Sequence, residues 1–255
     1  MPGAETVITP ALDLAAFASD ALMRGRRPIV EERRDSARAT ELEIGTIAFN
    51  NAEVVADQIA SLHELLEDDH RYWVFDNSTD PAVREQIRRL CHAHAVSYVQ
   101  LPANPMSRMN PSRSHGVAMN WASRRALAAT GAACFGFIDP DIYPTTRCSI
   151  LSEMGDQRCY GRLIERGARW YLWAGFCFFR KPVPALNFLP VGDRDTGGAN
   201  WRRLYRPMDR NALRFPPVTP ETPDTPERVG DWVHLSNSSR WRDDHVGPRP
   251  APASS

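Results

Sequence analysis

From Glu41 to Asp141, short apolar runs alternate with stretches whose apolar residues recur every three or four positions. Leu42-Glu43-Ile44-Gly45-Thr46-Ile47-Ala48-Phe49 reads as a strand that stops at Asn50-Asn51, a turn signal. Asn51 can cap the helix that follows, where Val54, Val55, Gln58, Ile59, Leu62, Leu65 and Leu66 fall at helical spacing. Tyr72 to Phe75 is a second strand, closed by Asp76-Asn77-Ser78, and Pro81 to His92 a second helix with proline in its first turn. Ser97 to Leu101 reads as a third strand and Pro102 to Ser114 as a loop. Gly116 to Thr130 reads as a third helix, and Cys134 to Ile138 as a fourth strand ending in Asp139-Pro140-Asp141.

This alternation predicts an α/β fold with a mostly parallel central sheet and helices on both faces. In such sheets ligands bind beyond the carboxyl ends of the strands. Topology alone therefore brings Asn50-Asn51, Asp76-Asn77 and Asp139/Asp141 to one edge. Outside this core the pattern weakens. Ala11 to Met23 has helical spacing, and the charged run Arg24 to Arg38 reads as a polar linker, so residues 1–40 are expected to be a helical extension and linker. Residues 41–245 are expected to form one domain. Within it, Cys159 to Ile164 and Arg169 to Phe179 are strand candidates, and Pro182 to Asn200 is loop-like. Trp232 to Ser236 is a short strand holding His234. Residues 246–255 read as a disordered tail.

Composition narrows the classes. With 255 residues and Lys+Arg equal to Asp+Glu at 31 each, the chain suits one large domain and not a cationic sheath for nucleic acid. No apolar run approaches the roughly 18 residues of a membrane span, so no stable span is expected. The start MPGAETVITP lacks a basic region followed by an apolar core, so no signal peptide is expected. Five cysteines, odd in number and without C-x-x-C, argue against a zinc finger or disulfide framework and fit a cytoplasmic protein. Lys181 is the only lysine. Genome composition accounts for that, although many arginines also supply forked donors for phosphate or carboxylate.

The candidate chemistry sits at the strand ends. Asp139 and Asp141 can hold a hard divalent cation through oxygen, Mn²⁺ or Mg²⁺, and the same residues also suit a plain turn. Asp76 can accept from a base N–H or a ribose hydroxyl, or close an Asx turn. Arg113-Ser114-His115-Gly116 opens a predicted helix and can bind an anion or simply cap it. Trp173-Ala174-Gly175-Phe176 can form an aromatic wall with close backbone approach at Gly175, or belong to the core. Asp193 and Asp195, in a loop before Gly197-Gly198, can place a general base near an acceptor. His234 can complete a metal site or be structural, and Arg240 can pair with phosphate.

Taken in order, these motifs resemble the family 2 glycosyltransferases of the GT-A fold. Ile44 to Asn51 is similar to their first strand and nucleotide loop, and Asp76-Asn77-Ser78 to their nucleoside-contacting acidic motif. His115-Gly116-Val117-Ala118-Met119-Asn120 is similar to their G-x-x-x-N helix, and Phe137-Ile138-Asp139-Pro140-Asp141 to their D-x-D motif. The match is good over about residues 42–145 and looser beyond, where Gly175-Phe176, Asp195 and His234 correspond to a glycine-aromatic region, an acceptor-side acid and a late metal ligand. The resemblance implies a nucleotide-binding half, 41–145, and an acceptor-binding half, 146–245. It implies a metal-dependent, inverting hexosyltransferase-like enzyme that takes a nucleotide-diphosphate sugar as donor. The hydroxyl-bearing acceptor is open: glycan, lipid-linked sugar, natural product, protein or modified DNA. Asp195 would be the catalytic base, with Asp193 the alternative. Phe49, Asn50, Asp76, Arg113, His115, Gly116, Asp139, Gly175 and Arg240 would contact the donor, and Asp139, Asp141 and His234 the metal. The acidic pair is spaced unusually, and the arginine motif of processive synthases is not evident. Two alternatives are a nucleotidyltransferase, which usually carries an early Gly-rich basic loop, and a non-catalytic nucleotide-sugar binding module.

Overall fold

A computed structural model describes residues 5–34, 40–190 and 196–235. The helices are α1 (Glu5–Arg24), α2 (Ala52–Leu65), α3 (Pro81–Ala93), α4 (Pro111–Arg125) and α5 (Ile150–Met154). The strands are β1 (Val30–Glu32), β2 (Leu42–Ala48), β3 (His70–Asp76), β4 (Ser97–Gln100), β5 (Cys134–Ile138), β6 (Ile142–Pro144), β7 (Cys159–Arg166), β8 (Arg169–Arg180), β9 (Val218–Thr219), β10 (Glu227–Val229) and β11 (Trp232–His234).

A seven-stranded sheet in the order β1-β4-β3-β2-β5-β8-β7 forms the centre, and a small sheet, β6-β11-β10-β9, stands beside it. Strands β4, β3, β2 and β5 run parallel, as the strand–helix alternation predicts, while β1, β8 and β7 join antiparallel. β2 is buried along its whole length because it lies mid-sheet with helices on both faces. On one face Val55, Ile59 and Leu62 of α2 and Ile87 and Cys91 of α3 form one core; on the other, Ala16 and Met23 of α1 pack with Val117, Ala118 and Trp121 of α4.

Among the elements that differ from the expectation, two show why. The charged run after α1 is not all linker: Val30–Glu32 adds an edge strand, with Val30 opposite Gln100. Its glutamates face arginines, Glu31 to Arg33 at 2.6 Å and Glu32 to Arg88 at 2.5 Å, so the edge is both paired and charged. Helix α4 begins at Pro111, five residues before the expected Gly116. Asn110 caps it by accepting from the Arg113 N–H at 3.0 Å, and Pro111 occupies the first turn, where a missing N–H costs nothing.

Candidate functional site

The carboxyl ends of β2, β3 and β5 meet the N-terminus of α4 around a cavity of about 400 Å³. Its wall includes Phe49, Asn77, Ser112, Ser114, His115, Asp139, Trp173 and Gly175. A second cavity, about 430 Å³, continues past the shared residues Asn77 and Ser107 to Asp76, Arg84 and Arg108. A buried amide network separates the floor from the core: Asn77 donates to Ser114 Oγ at 2.9 Å and accepts from Asn104 at 3.1 Å.

Asp139-Pro140-Asp141-Ile142 is a turn closed by Ile142 N–H donating to Asp139 C=O at 3.0 Å. The buried amide of Gln58, on α2, donates to the carbonyls of both Asp139 and Ile142, at 2.7 and 2.6 Å. The Tyr72 hydroxyl in turn holds Gln58. Asp139 then meets two neighbours: its Oδ1 lies 3.3 Å from His115 Nε2, and its N–H donates to Gly175 C=O at 2.8 Å. A Cβ on Gly175 would stand 2.4 Å from both Asp139 Oδ2 and the Trp173 ring, so only glycine permits this approach.

His234 arrives from the far end of the described chain by strand pairing. β11 runs antiparallel to β6 with His234 opposite Ile142, so it lies beside Asp141, whose Oδ1 is 3.6 Å from His234 Nε2. Sequence reasoning missed Glu227, on β10 directly across from His234. Its Oε2 lies 2.9 Å from His234 Nδ1, and its Oε1 accepts from Arg162 at 2.5 Å. Arg162 lies over the Trp173 ring at 5.2 Å, and that ring packs on His234 at 4.7 Å. No local signal marks Glu227; only the β10–β11 hairpin register pairs it with the histidine.

The electrostatics follow from this crowding. Burial, then the charge of Asp139, raise Asp141 to about 6, with His234 opposing. Burial disfavours the charged form of His234, but Glu227, Asp141 and Asp139 outweigh it and its pKa rises. For Glu227, burial raises the pKa, yet His234 and Arg162 hold it below the usual carboxylate range.

These residues fit a divalent cation. With Nδ1 held by the carboxylate of Glu227, Nε2 is left facing Asp141, the arrangement that orients a metal-ligating imidazole. The donor set of two carboxylates and one imidazole suits Mn²⁺, and Mg²⁺ through the carboxylates. Among the described residues, no three metal-type side chains already stand close enough to form a ready metal site.

The other sequence candidates fall in different places. Asp76 is buried, its carboxylate accepting from Ser78 N–H and the Tyr98 hydroxyl, both at 2.8 Å, and it faces the second cavity. Asn50, at φ 49°, is exposed and spends its side chain on the neighbouring loop: its oxygen accepts from the N–H of Thr79 and Asp80 and its nitrogen donates to Thr79 Oγ1. It joins the β2 and β3 loops and does not reach the cavity wall. Arg113 is tied to Asp13 of α1 at 2.5 Å, so its guanidinium points to the helix interface and not to an anion. Gly116 and Asn120 lie one turn apart, so both dock the same strip of backbone: a Cβ on Gly116 would stand 2.2 Å from Phe188 C=O, and Asn120 Oδ1 accepts from Phe188 N–H at 2.8 Å. Asp193, Asp195 and Arg240 lie outside the described residues. Cys91, Cys134, Cys148, Cys159 and Cys177 are all buried and unpaired.

No family model matches the chain. No curated protein matches it either. Solved structures give distant likenesses. The mannosyltransferase PcManGT from Pyrobaculum calidifontis, in complex with GDP-Man and Mn²⁺, is 15% identical over 69% of this chain and 56% of that one, with a TM-score of 0.41. The galactosyltransferase LgtC with donor and acceptor sugar analogs is 12% identical over 54% of this chain and 57% of that one, at 0.36. TarS of S. aureus, residues 1–349 with UDP-GlcNAc, is 15% identical over 51% of this chain and 36% of that one, at 0.33. The chain thus spans about half the length of these structures, or less.

Proposed function

We propose that this chain is a metal-dependent glycosyltransferase of the GT-A type, moving a sugar from a nucleotide-diphosphate donor to a hydroxyl acceptor with inversion. One observation carries the reading. The β6–β11 register sets His234, its Nδ1 locked by Glu227, against the Asp139/Asp141 turn at the parallel strand ends.

In this reading Asp139, Asp141 and His234 hold Mn²⁺ or Mg²⁺, which when bound neutralises the charge of the departing diphosphate. Gln58 fixes the turn that aims both carboxylates, and Glu227 fixes the imidazole tautomer. Asp76, held by Ser78 and Tyr98, retains lone pairs for a base or ribose donor at the second cavity. Phe49, half-exposed on the first cavity wall, offers a face for stacking. Ser112, Ser114 and the first turn of α4 line the same cavity and can take an anionic oxygen. Asp195 would remove the acceptor proton; it precedes Thr196, which lines the first cavity.

The test is calorimetric titration of GDP- and UDP-sugars with Mn²⁺, together with identification of products. Metal-dependent donor binding, lost in Asp141→Ala, and release of nucleoside diphosphate are expected. Pyrophosphate release would point to nucleotidyl transfer. Donor binding without turnover on any acceptor would point to a binding module.

A further inference from the structure

Helix α1 presents an unusual face. Asp13 and Asp20 point inward: Asp13 accepts from Arg113 of α4 at 3.0 and 2.5 Å, and Asp20 accepts from Arg124 at 2.8 and 3.1 Å. Ala16, Ser19 and Met23 are buried on the same side. A second set of apolar residues points outward. Leu14, Phe17 and Leu22 are 71%, 45% and 48% exposed, and with exposed Ala18 and Ala21 they recur at helical spacing, so one continuous stripe faces solvent. Ile29, 58% exposed, extends it beyond the helix. Single exposed apolar residues are ordinary, but an aligned stripe marks an interaction surface.

The charge around the stripe identifies its partner. Between Pro10 and Ile29, every exposed charged side chain is an arginine: Arg24, Arg26 and Arg27. Beside Phe17 a cavity of about 430 Å³ gathers Arg24, Arg124 and Arg203 around the single carboxylate of Asp20, leaving excess positive charge there. Glu31, just past Ile29, is the next exposed charge, so the stripe itself carries a cationic fringe, which is what a helix lying in an anionic membrane interface requires. No helix among the described residues is long and apolar enough to cross a membrane, so contact through this helix would lie along the surface.

We propose that the outer face of α1 docks on an anionic lipid surface, with Leu14, Phe17 and Leu22 entering the boundary between headgroups and acyl chains. Arg24, Arg26 and Arg27 then meet lipid phosphate. This stands apart from the proposed chemistry, because none of these side chains belongs to the Asp139–His234 site. Leu22, Arg26 and Ile29 do line the cavity that reaches Asp76, so docking sets that cavity beside the lipid.

Co-sedimentation of the full chain with phosphatidylcholine vesicles, with and without phosphatidylglycerol, tests it. Binding to the anionic vesicles only is expected. Leu14→Ser/Phe17→Ser/Leu22→Ser is expected to weaken it by about tenfold or more, and Arg26→Glu/Arg27→Glu by about tenfold. Circular dichroism checks that each variant folds; should the serine variant unfold, the arginine reversal alone decides. Absence of phosphatidylglycerol-dependent binding overturns the proposal, as does binding that the folded variants leave unchanged. So does a dimer in light scattering that the serine variant dissociates, which would assign the stripe to a second copy.

Discussion

The two sides of the cavity are built by opposite means. The parallel side, β2, β3, β5 and α4, is built from successive strand–helix units, with β5 returning to lie beside β2, and each strand end delivers its polar residue at a turn. The return side, β8, β10 and β11, arrives by antiparallel pairing across long connections, with Gly175 brought to Asp139 and His234 to Asp141. The first side places carboxylates; the second orients what faces them. A site at such a junction is complete only when both pairings are in register, since a one-residue slip would turn each side chain to the other face.

The sharpest way to break this comparison is Asp141→Ala, which removes the carboxylate that meets both sides. Metal-dependent donor turnover should fall about a thousandfold while the melting temperature holds, measured by steady-state kinetics and calorimetry. Next is Arg113→Ala, on the parallel side. It removes one half of a mostly buried ion pair with Asp13 and should cost about 3 kcal/mol of stability in denaturant titration. Donor affinity of the folded variant should stay within about twofold, because the guanidinium faces α1. A large loss of affinity would return Arg113 to the binding site.

On the return side, Glu227→Gln should weaken Mn²⁺ binding by roughly 10- to 100-fold by loosening the His234 tautomer, read by metal titration of the folded variant. The smallest effect is with pH. Asp141 is raised on folding, to about 6, so the metal-free fold keeps a proton that the unfolded chain has already released. Its contribution to stability is present at low pH and is lost as pH rises through about 6. A cation must displace that proton and also the proton of His234, whose pKa is raised, so Mn²⁺ affinity should drop by about tenfold or more per pH unit below about 6 and keep rising above it until the imidazole is neutral. An affinity independent of pH between 5 and 7 would remove Asp141 from the ligand set.

Legibility followed the same division. Strand and helix positions from Leu42 to Ile138 can be read from periodicity because the period of a regular element shows within its own residues, even where, as for β5 beside β2, the partner is distant. The start of α4 lies ahead of its apolar face, which begins near Gly116, because its signal is the cap at Asn110 and the proline after it. Gly116 and Asn120 were visible as a pair one turn apart, yet what they touch, the backbone at Phe188, lies in a segment without periodicity. The edge strand Val30–Glu32 hid in a charged run, since edge strands carry charge to discourage further pairing.

By itself, the sequence determined the parallel core, the turn at Asp139-Pro140-Asp141 and the polar character of three strand ends. Local propensity and hydrophobic period decide those features. Only the tertiary structure decided that Glu227 holds His234, that Arg113 serves α1, that Asn50 joins two loops, and that Asp13 and Asp20 of α1 turn inward. Each depends on a partner on another element, often tens of residues away, and a side chain's role follows from the group that packing places within hydrogen-bond reach.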